Sequence, residues 1–151
     1  MSMIISLNVD ADGIAELRWD DPGSKVNVFS TAAIAEFGNH VTEITSSKLI
    51  KGVLITSGKN TFHAGADLNM VSGFFDASAS ALWSIMTDVM QSFYALETCG
   101  KPVAAVINGH ALGGGFEMAM AAHARFAADD PAIRLGLPEA AIGLMPGFGG
   151  T

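Results

Sequence analysis

Two glutamates and a run of three glycines are the residues of this chain best suited to chemistry. The segment Ile107-Asn108-Gly109-His110-Ala111-Leu112-Gly113-Gly114-Gly115-Phe116-Glu117 reads as an apolar strand, Val103 to Ile107, that turns through glycines into an Ala/Met-rich helix. Glycines at a helix N-terminus let backbone N–H groups approach a ligand closely, and the helix dipole favours negative charge there. Glu117, inside that first turn, would stand beside whatever anion those N–H groups bind. A second carboxylate, Glu139, follows 22 positions later in Gly136-Leu137-Pro138-Glu139. Two carboxyls in different surroundings can hold different protonation states, one acting as base and the other as acid. An anion pocket rimmed by such a pair suits acid–base chemistry on a carbonyl compound.

Each piece also has an ordinary use. Gly113–Gly115 could serve only to pack helix against strand, although each glycine costs a helix roughly 1 kcal/mol relative to alanine and something must offset that. Glu117 alone could complement the helix dipole, and Glu139 alone could be an exposed loop carboxylate or start a helix after Pro138. Competing chemistries lack their parts. No Gly-Lys-Ser/Thr follows the glycines as in a phosphate loop, and this turn has no Gly-x-Gly-x-x-Gly dinucleotide pattern. There is no Gly-x-Ser-x-Gly elbow for a serine nucleophile. No His/Asp/Glu set has metal-ligand spacing, so no metal site is expected. Among the histidines, His63 has a small chance of touching substrate, His110 is expected to line a pocket, and His40 and His123 read as helix-face residues. Met70, Met86, Met90, Met118 and Met120 read mostly as core, with methionine also suited to a flexible acyl pocket.

The elements that must position these residues follow from periodicity. Ile4 to Val9 and Gly13 to Trp19 alternate apolar and polar residues around the turn Asp10-Ala11-Asp12-Gly13, as a hairpin does. Ser30 or Thr31 can cap a helix beginning near Ala32, with Ile34, Phe37, Val41 and Ile44 on its apolar face. Gly52 to Thr56 reads as a buried strand, and Phe62 to Leu68 as a loop before a variable stretch, Gly73 to Ser80. A long helix is expected from about Ala81 to Thr98, with Leu82, Ile85, Met86, Val89, Met90, Phe93 and Leu96 facing inward. Then come the strand Val103 to Ile107, a helix Glu117 to Ala122, a strand around Arg125 to Ala128 and a turn at Asp129-Asp130-Pro131. Alternating strands and helices with buried strands predict an α/β fold.

Composition narrows the function classes. The 151 residues fit one domain, half of them are hydrophobic, and only 15% are charged. That is apolar for a soluble domain and fits a unit with a further covering part. Eight basic and 15 acidic residues give a net charge of −7, which argues against nucleic-acid binding. The lone Cys99 excludes an internal disulfide and reads as a packing residue. Met1-Ser2-Met3-Ile4-Ile5 has no basic stretch before its apolar residues, so no signal peptide is expected. No apolar run reaches the ~18 residues of a membrane span, and the cytoplasm is the expected location.

Four ordered stretches resemble the enoyl-CoA hydratase/isomerase (crotonase) superfamily. They are Phe62-His63-Ala64-Gly65-Ala66-Asp67-Leu68, Asn108 to Glu117, Leu135-Gly136-Leu137-Pro138-Glu139 and Leu144-Met145-Pro146-Gly147-Phe148-Gly149-Gly150-Thr151. Asp21-Pro22-Gly23-Ser24-Lys25-Val26-Asn27 and the wording from Arg134 to Glu139 are most similar to the hydratase part of multifunctional fatty-acid-oxidation proteins. The resemblance implies a ββα superhelix, with residues 1–151 forming the N-terminal part of a domain whose further helices complete the acyl-CoA pocket. It implies backbone N–H donors at Ala66 and Gly114 for a thioester oxyanion, and Glu117 and Glu139 as the catalytic pair. In the family pattern Glu139 supplies the α-proton and Glu117 positions and activates water. Ala64 (through its carbonyl), Gly65, Asp67, Leu68, Gly113 and Lys25 would meet substrate or CoA, although Asp67 also suits a helix start and Lys25 a solvated surface. The implied reaction is reversible syn-hydration of a trans-2-enoyl-CoA in fatty-acid β-oxidation. Alternatives are a Δ3-Δ2 enoyl-CoA isomerase or a non-catalytic acyl-CoA-binding part of a multifunctional protein. No cofactor is expected beyond the CoA of the substrate. The expected assembly is a trimer-based homo-oligomer or a multifunctional β-oxidation complex.

Overall fold

The computed structural model describes residues 3–74 and 76–150; Met1, Ser2, Phe75 and Thr151, which close or enter some of the motifs above, lie outside the described residues. Strands β1 (Ile5–Val9) and β2 (Ile14–Trp19) form the expected antiparallel hairpin, with Ile5 opposite Trp19 and Leu7 opposite Leu17. Asp10 closes its turn: the carboxylate accepts the N–H groups of Asp12 and Ile14 at 2.9 and 2.8 Å. Strands β3 (Gly52–Ser57), β4 (Val103–Ile107) and β6 (Ala124–Ala127) add to β2 in parallel, giving the order β1-β2-β3-β4-β6. The α/β reading holds. Alternation puts Ala15, Leu17 and Trp19 of β2, Val53 and Ile55 of β3, and Val103, Ala105 and Ile107 of β4 into one core.

Two long helices cover that face. Helix α1 (Thr31–Ser46) is capped by Ser30, whose hydroxyl accepts the Ala33 N–H at 3.2 Å, and buries Ala33, Phe37, Val41 and Ile44 at helical spacing. Lys101 reaches the other end, its ammonium donating to the carbonyls of Ile44 and Ser47, where the helix leaves acceptors unpaired. Helix α3 (Ala79–Thr98) begins slightly earlier than the periodicity predicts because Ser78 caps it. Val89, Phe93 and Leu96 are its fully inward residues, whereas Met90 is 45% exposed and leaves the expected apolar face. Short α2 (Leu68–Gly73) precedes it. Among the described residues no helix is long and apolar enough to cross a membrane.

The site-bearing part follows β4. Strand β5 (Ala111–Leu112) pairs in parallel with β7 (Leu135–Gly136), forming a separate two-stranded sheet around helix α4 (Gly114–Met120). Helix α4 starts three residues before the expected Glu117, since the glycines themselves enter the helix. The turn after β6 is exposed, as Asp129-Asp130-Pro131 suggests.

Two histidine expectations change here. His123 lies beyond α4, not on a helix face: Nδ1 accepts the Val103 N–H at 3.0 Å and Nε2 lies 3.0 Å from the Glu97 carbonyl, tying the start of β4 to the end of α3. His110 is exposed and lines neither of the two clefts described below; its Nδ1 accepts the Arg134 N–H at 3.0 Å, bracing the approach to β7. His40 stays on its helix face, with Nε2 3.0 Å from the Ile5 carbonyl. Of the methionines expected in the core, Met118 is buried, but Met120 joins Met90 at the surface.

Candidate active site

The two-stranded sheet brings the segment that carries Glu139 back beside the glycine turn that precedes Glu117. With Leu112 paired to Gly136, the Gly113 N–H donates to the Gly136 carbonyl at 2.9 Å, and the chain then passes Pro138 into a 3-10 turn over Glu139–Ile142. The Glu139 carboxylate returns to the glycine turn, where a Cβ on Gly113 would stand 2.6 Å from Oε1. Its Oε2 is buried with no hydrogen-bond partner among the described residues. Gly113 holds a φ of +52°, which a side chain would oppose, and caps α4 without a side-chain hydrogen bond. Its carbonyl accepts the N–H groups of Phe116 and Glu117, leaving the Gly114 N–H without an acceptor among the described residues.

The Phe62–Leu68 loop meets this turn from the other side. A Cβ on Gly65 would lie 2.8 Å from the Leu112 carbonyl oxygen and 3.3 Å from the Gly114 nitrogen, and Gly65 has a φ of +91°. Phe29 holds the loop by both its backbone groups: its N–H donates to the Gly65 carbonyl at 2.8 Å, and its carbonyl accepts the Asp67 N–H at 3.1 Å. In a planar trans peptide the C=O and the following N–H point in opposite directions. The Ala66 N–H is therefore turned away from Phe29, and it too has no acceptor among the described residues. Two free backbone donors thus lie on segments in van der Waals contact.

Glu117 is 3% exposed. Its Oε1 accepts the N–H groups of Phe148 and Gly150 at 2.8 and 2.9 Å. Burial pushes its pKa up; the two backbone donors pull it down, and the neighbouring Glu139 carboxylate pushes it up again. A cleft of about 290 Å³ opens onto Glu117, bordered by Met90, Phe93, Tyr94, Met120 and Phe148. A larger one, about 550 Å³, lies between α1 and α3 against Ile34, Val41, Ile85 and Ala95 and contains neither glutamate. The smaller cleft reaches Glu117 but is not lined by Glu139, Ala66 or Gly114, so size does not pick out the site and neither cleft holds all of its groups.

The remaining candidates are arranged around this centre. Asp67 caps α2, its Oδ1 accepting the Asn69 N–H at 2.8 Å, which matches the helix-start reading. Leu68 is 67% exposed, Ala64 is exposed beside it, and Lys25 is exposed in the loop before Asn27. Those three do not enter the carboxylate pair. Asn27, which sequence reasoning passed over, is fully buried and holds the loops together. Its Nδ2 donates to the Trp19 carbonyl, the Ser57 hydroxyl and the Phe62 carbonyl, Oδ1 accepts the Asp21 N–H, and its carbonyl accepts the Ala64 N–H at 2.9 Å. A polar residue inside Val26-Asn27-Val28-Phe29 was the available signal. The amides of Phe148 and Gly150 carried no signal, because a backbone donor leaves none in a sequence.

The fold and this glycine-rich turn are those of the crotonase type, and residues 10–151 match the family described as enoyl-CoA hydratase/isomerase, to which the chain belongs. It is 40% identical over 147 residues to the fatty acid oxidation complex subunit alpha of Acinetobacter baumannii (strain AYE), covering 97% of this chain and 20% of that protein. It superposes on an enoyl-CoA hydratase from Geobacillus kaustophilus HTA426 with a TM-score of 0.88 at 28% identity, covering 99% of this chain and 55% of the other. An enoyl-CoA hydratase from Bacillus anthracis gives 0.85 at 29% identity, with 98% and 55% covered. The chain therefore spans a fifth of the length of the curated relative and about half that of the two solved structures.

Proposed function

We propose that this chain supplies the site for reversible syn-hydration of trans-2-enoyl-CoA to 3-hydroxyacyl-CoA in fatty-acid β-oxidation. The observation that carries the reading is that two N–H groups without an acceptor among the described residues, Ala66 and Gly114, and two carboxylates, Glu117 and Glu139, lie about one glycine turn. The thioester oxygen accepts both N–H bonds and gains negative charge as water adds to the β-carbon. One such donor is typically worth about 3–4 kcal/mol of transition-state stabilisation. Glu117 takes a proton from the attacking water, whose oxygen bonds to the β-carbon, and Glu139 delivers a proton to the α-carbon. The proton left on Glu117 returns to Glu139 before the next turnover. A buried Glu117 with a raised pKa suits the base, since its protonated form is stabilised where it must accept a proton.

The relative named as a fatty acid oxidation complex alpha subunit supports placing this site within a larger β-oxidation protein, with acyl-CoA as its substrate. Glu139 beside Glu117 favours hydration over the Δ3-Δ2 isomerisation, for which one carboxylate suffices. The test is turnover of crotonyl-CoA, followed as loss of the enoyl-thioester absorbance, by the chain and by its E117Q and E139Q variants. Turnover that disappears in both variants is the expected result. Turnover indifferent to both, or conversion of a 3-enoyl-CoA in place of hydration, would overturn it.

A further inference from the structure

His63 was expected to have at most an occasional substrate contact, yet it is fully buried and cannot reach substrate. Its ring packs edge-on against Trp19, centroids 4.6 Å apart, and tilted against Phe29 at 4.4 Å. Nδ1 lies 3.1 Å from the Gly65 nitrogen. A backbone N–H can only donate, so Nδ1 accepts and the ring proton resides on Nε2, which has no hydrogen-bond partner among the described residues. The residue is equally fixed through its backbone. Its N–H donates to the His110 carbonyl at 3.1 Å, and its carbonyl accepts the Leu112 N–H at 3.0 Å. Gly115 presses on it so closely that a Cβ there would lie 2.6 Å from the His63 Cβ.

Gly65 is the soft point of the Ala66 donor. It has no side chain to restrain it, and rotation of the Gly65–Ala66 peptide would carry the Ala66 N–H away from its present direction and bring the Gly65 carbonyl towards it. The carbonyl end of Gly65 is held by Phe29 and the amide end by His63. We propose that His63 is a positioning residue: its Nδ1 hydrogen bond fixes the Ala64–Gly65 peptide while Phe29 holds the Gly65 carbonyl, and the two together keep the Gly65–Ala66 peptide with the Ala66 N–H facing the acyl oxygen. This rests on the hydration reading for what the N–H meets, but the hydrogen bond and its tautomer stand apart from it.

Two substitutions separate positioning from packing. Asn places Oδ1 on Cγ much as His places Nδ1, so H63N keeps the acceptor while leaving a cavity; H63L fills the volume and removes the acceptor. Stability should then favour H63L and turnover should favour H63N. Losing a complete oxyanion donor costs about 10²–10³-fold in kcat, and a misdirected one less, so H63L should lose about 10–100-fold in kcat with KM little changed. H63N should restore kcat to within about threefold of the unsubstituted chain. The long-range 1H–15N spectrum of the imidazole should report the Nε2-protonated tautomer, and the Gly65 amide resonance should move in H63L more than in H63N. H63L with unimpaired kcat, H63N as impaired as H63L, or a proton on Nδ1 would each overturn the inference. If the unsubstituted chain does not turn over crotonyl-CoA, the hydration reading fails alone, and the inference is decided by the tautomer and the Gly65 amide.

Discussion

Acidification should destabilise this protein through His63 by an amount that its surroundings fix. The ring is enclosed by Trp19 and Phe29, and Nδ1 is committed to accepting the Gly65 N–H. Burial lowers its pKa from 6.5 to about 3. In the unfolded chain the ring binds a proton near pH 6.5, while in the folded chain it stays neutral down to about 3, so between those values protons favour unfolding. The stabilisation is complete above the unfolded value and is lost as pH falls towards the folded one. Linkage gives a loss of about 1 kcal/mol at pH 5.5 and about 3 kcal/mol at pH 4, relative to pH 7. Urea unfolding of the wild type and H63L at those three pH values isolates the effect, because every other group titrates in both. The wild type should lose about 3 kcal/mol more than H63L between pH 7 and pH 4. Parallel pH profiles, or an imidazole titrating near 6.5 in the folded chain, would refute the argument.

Three further outcomes follow from the same contacts. E117Q should abolish turnover, by about 10²-fold or more, yet hold or raise stability at neutral pH in urea unfolding, because a buried group with a raised carboxyl pKa loses stability as pH rises and an amide does not. N27A removes the partner of several buried groups at once and should cost on the order of 3 kcal/mol in the same assay, whereas the loss of an exposed Lys25 should cost almost nothing. G115A drives a methyl group into the His63 backbone and ring, and should lower stability by about 1–3 kcal/mol and shift the Gly65 amide resonance.

What the sequence makes legible here is what is local. The alternation in Ile14–Trp19 needs only one buried face, and Phe37, Val41 and Ile44 need only a helical period, so both were readable without knowing their partners, although Ala33 is the fully buried residue of the first turn and the expected Ile34 is only partly so. The glycine turn was readable because three glycines before a helix are costly unless close approach requires them. The start of α3 was missed although Ser78 is as local a cap as Ser30, whereas the outward turn of Met90 was not readable, since the rotation of a helix on its neighbours depends on tertiary context. His123 was misplaced for the same reason: an Ala-rich run suggests a helix continuing through it, but α4 ends at Met120 and the ring is taken up by groups from α3 and β4.

The site itself sits at the boundary of that legibility. Its two glutamates are visible in the chain, but their pairing depends on β5 meeting β7, two strands of two residues each that no periodicity argument could find. The direction of the Ala66 N–H depends on still less visible things: a backbone pair at Phe29, a ring nitrogen at His63 and a buried amide at Asn27. Each acts through the main chain of another segment. A backbone donor has no side chain of its own to mark it, so the orientation of the site must be specified by the residues that hold that backbone. For this reason His63 and Asn27, which touch no substrate, should affect catalysis and stability more than exposed Lys25 and Leu68.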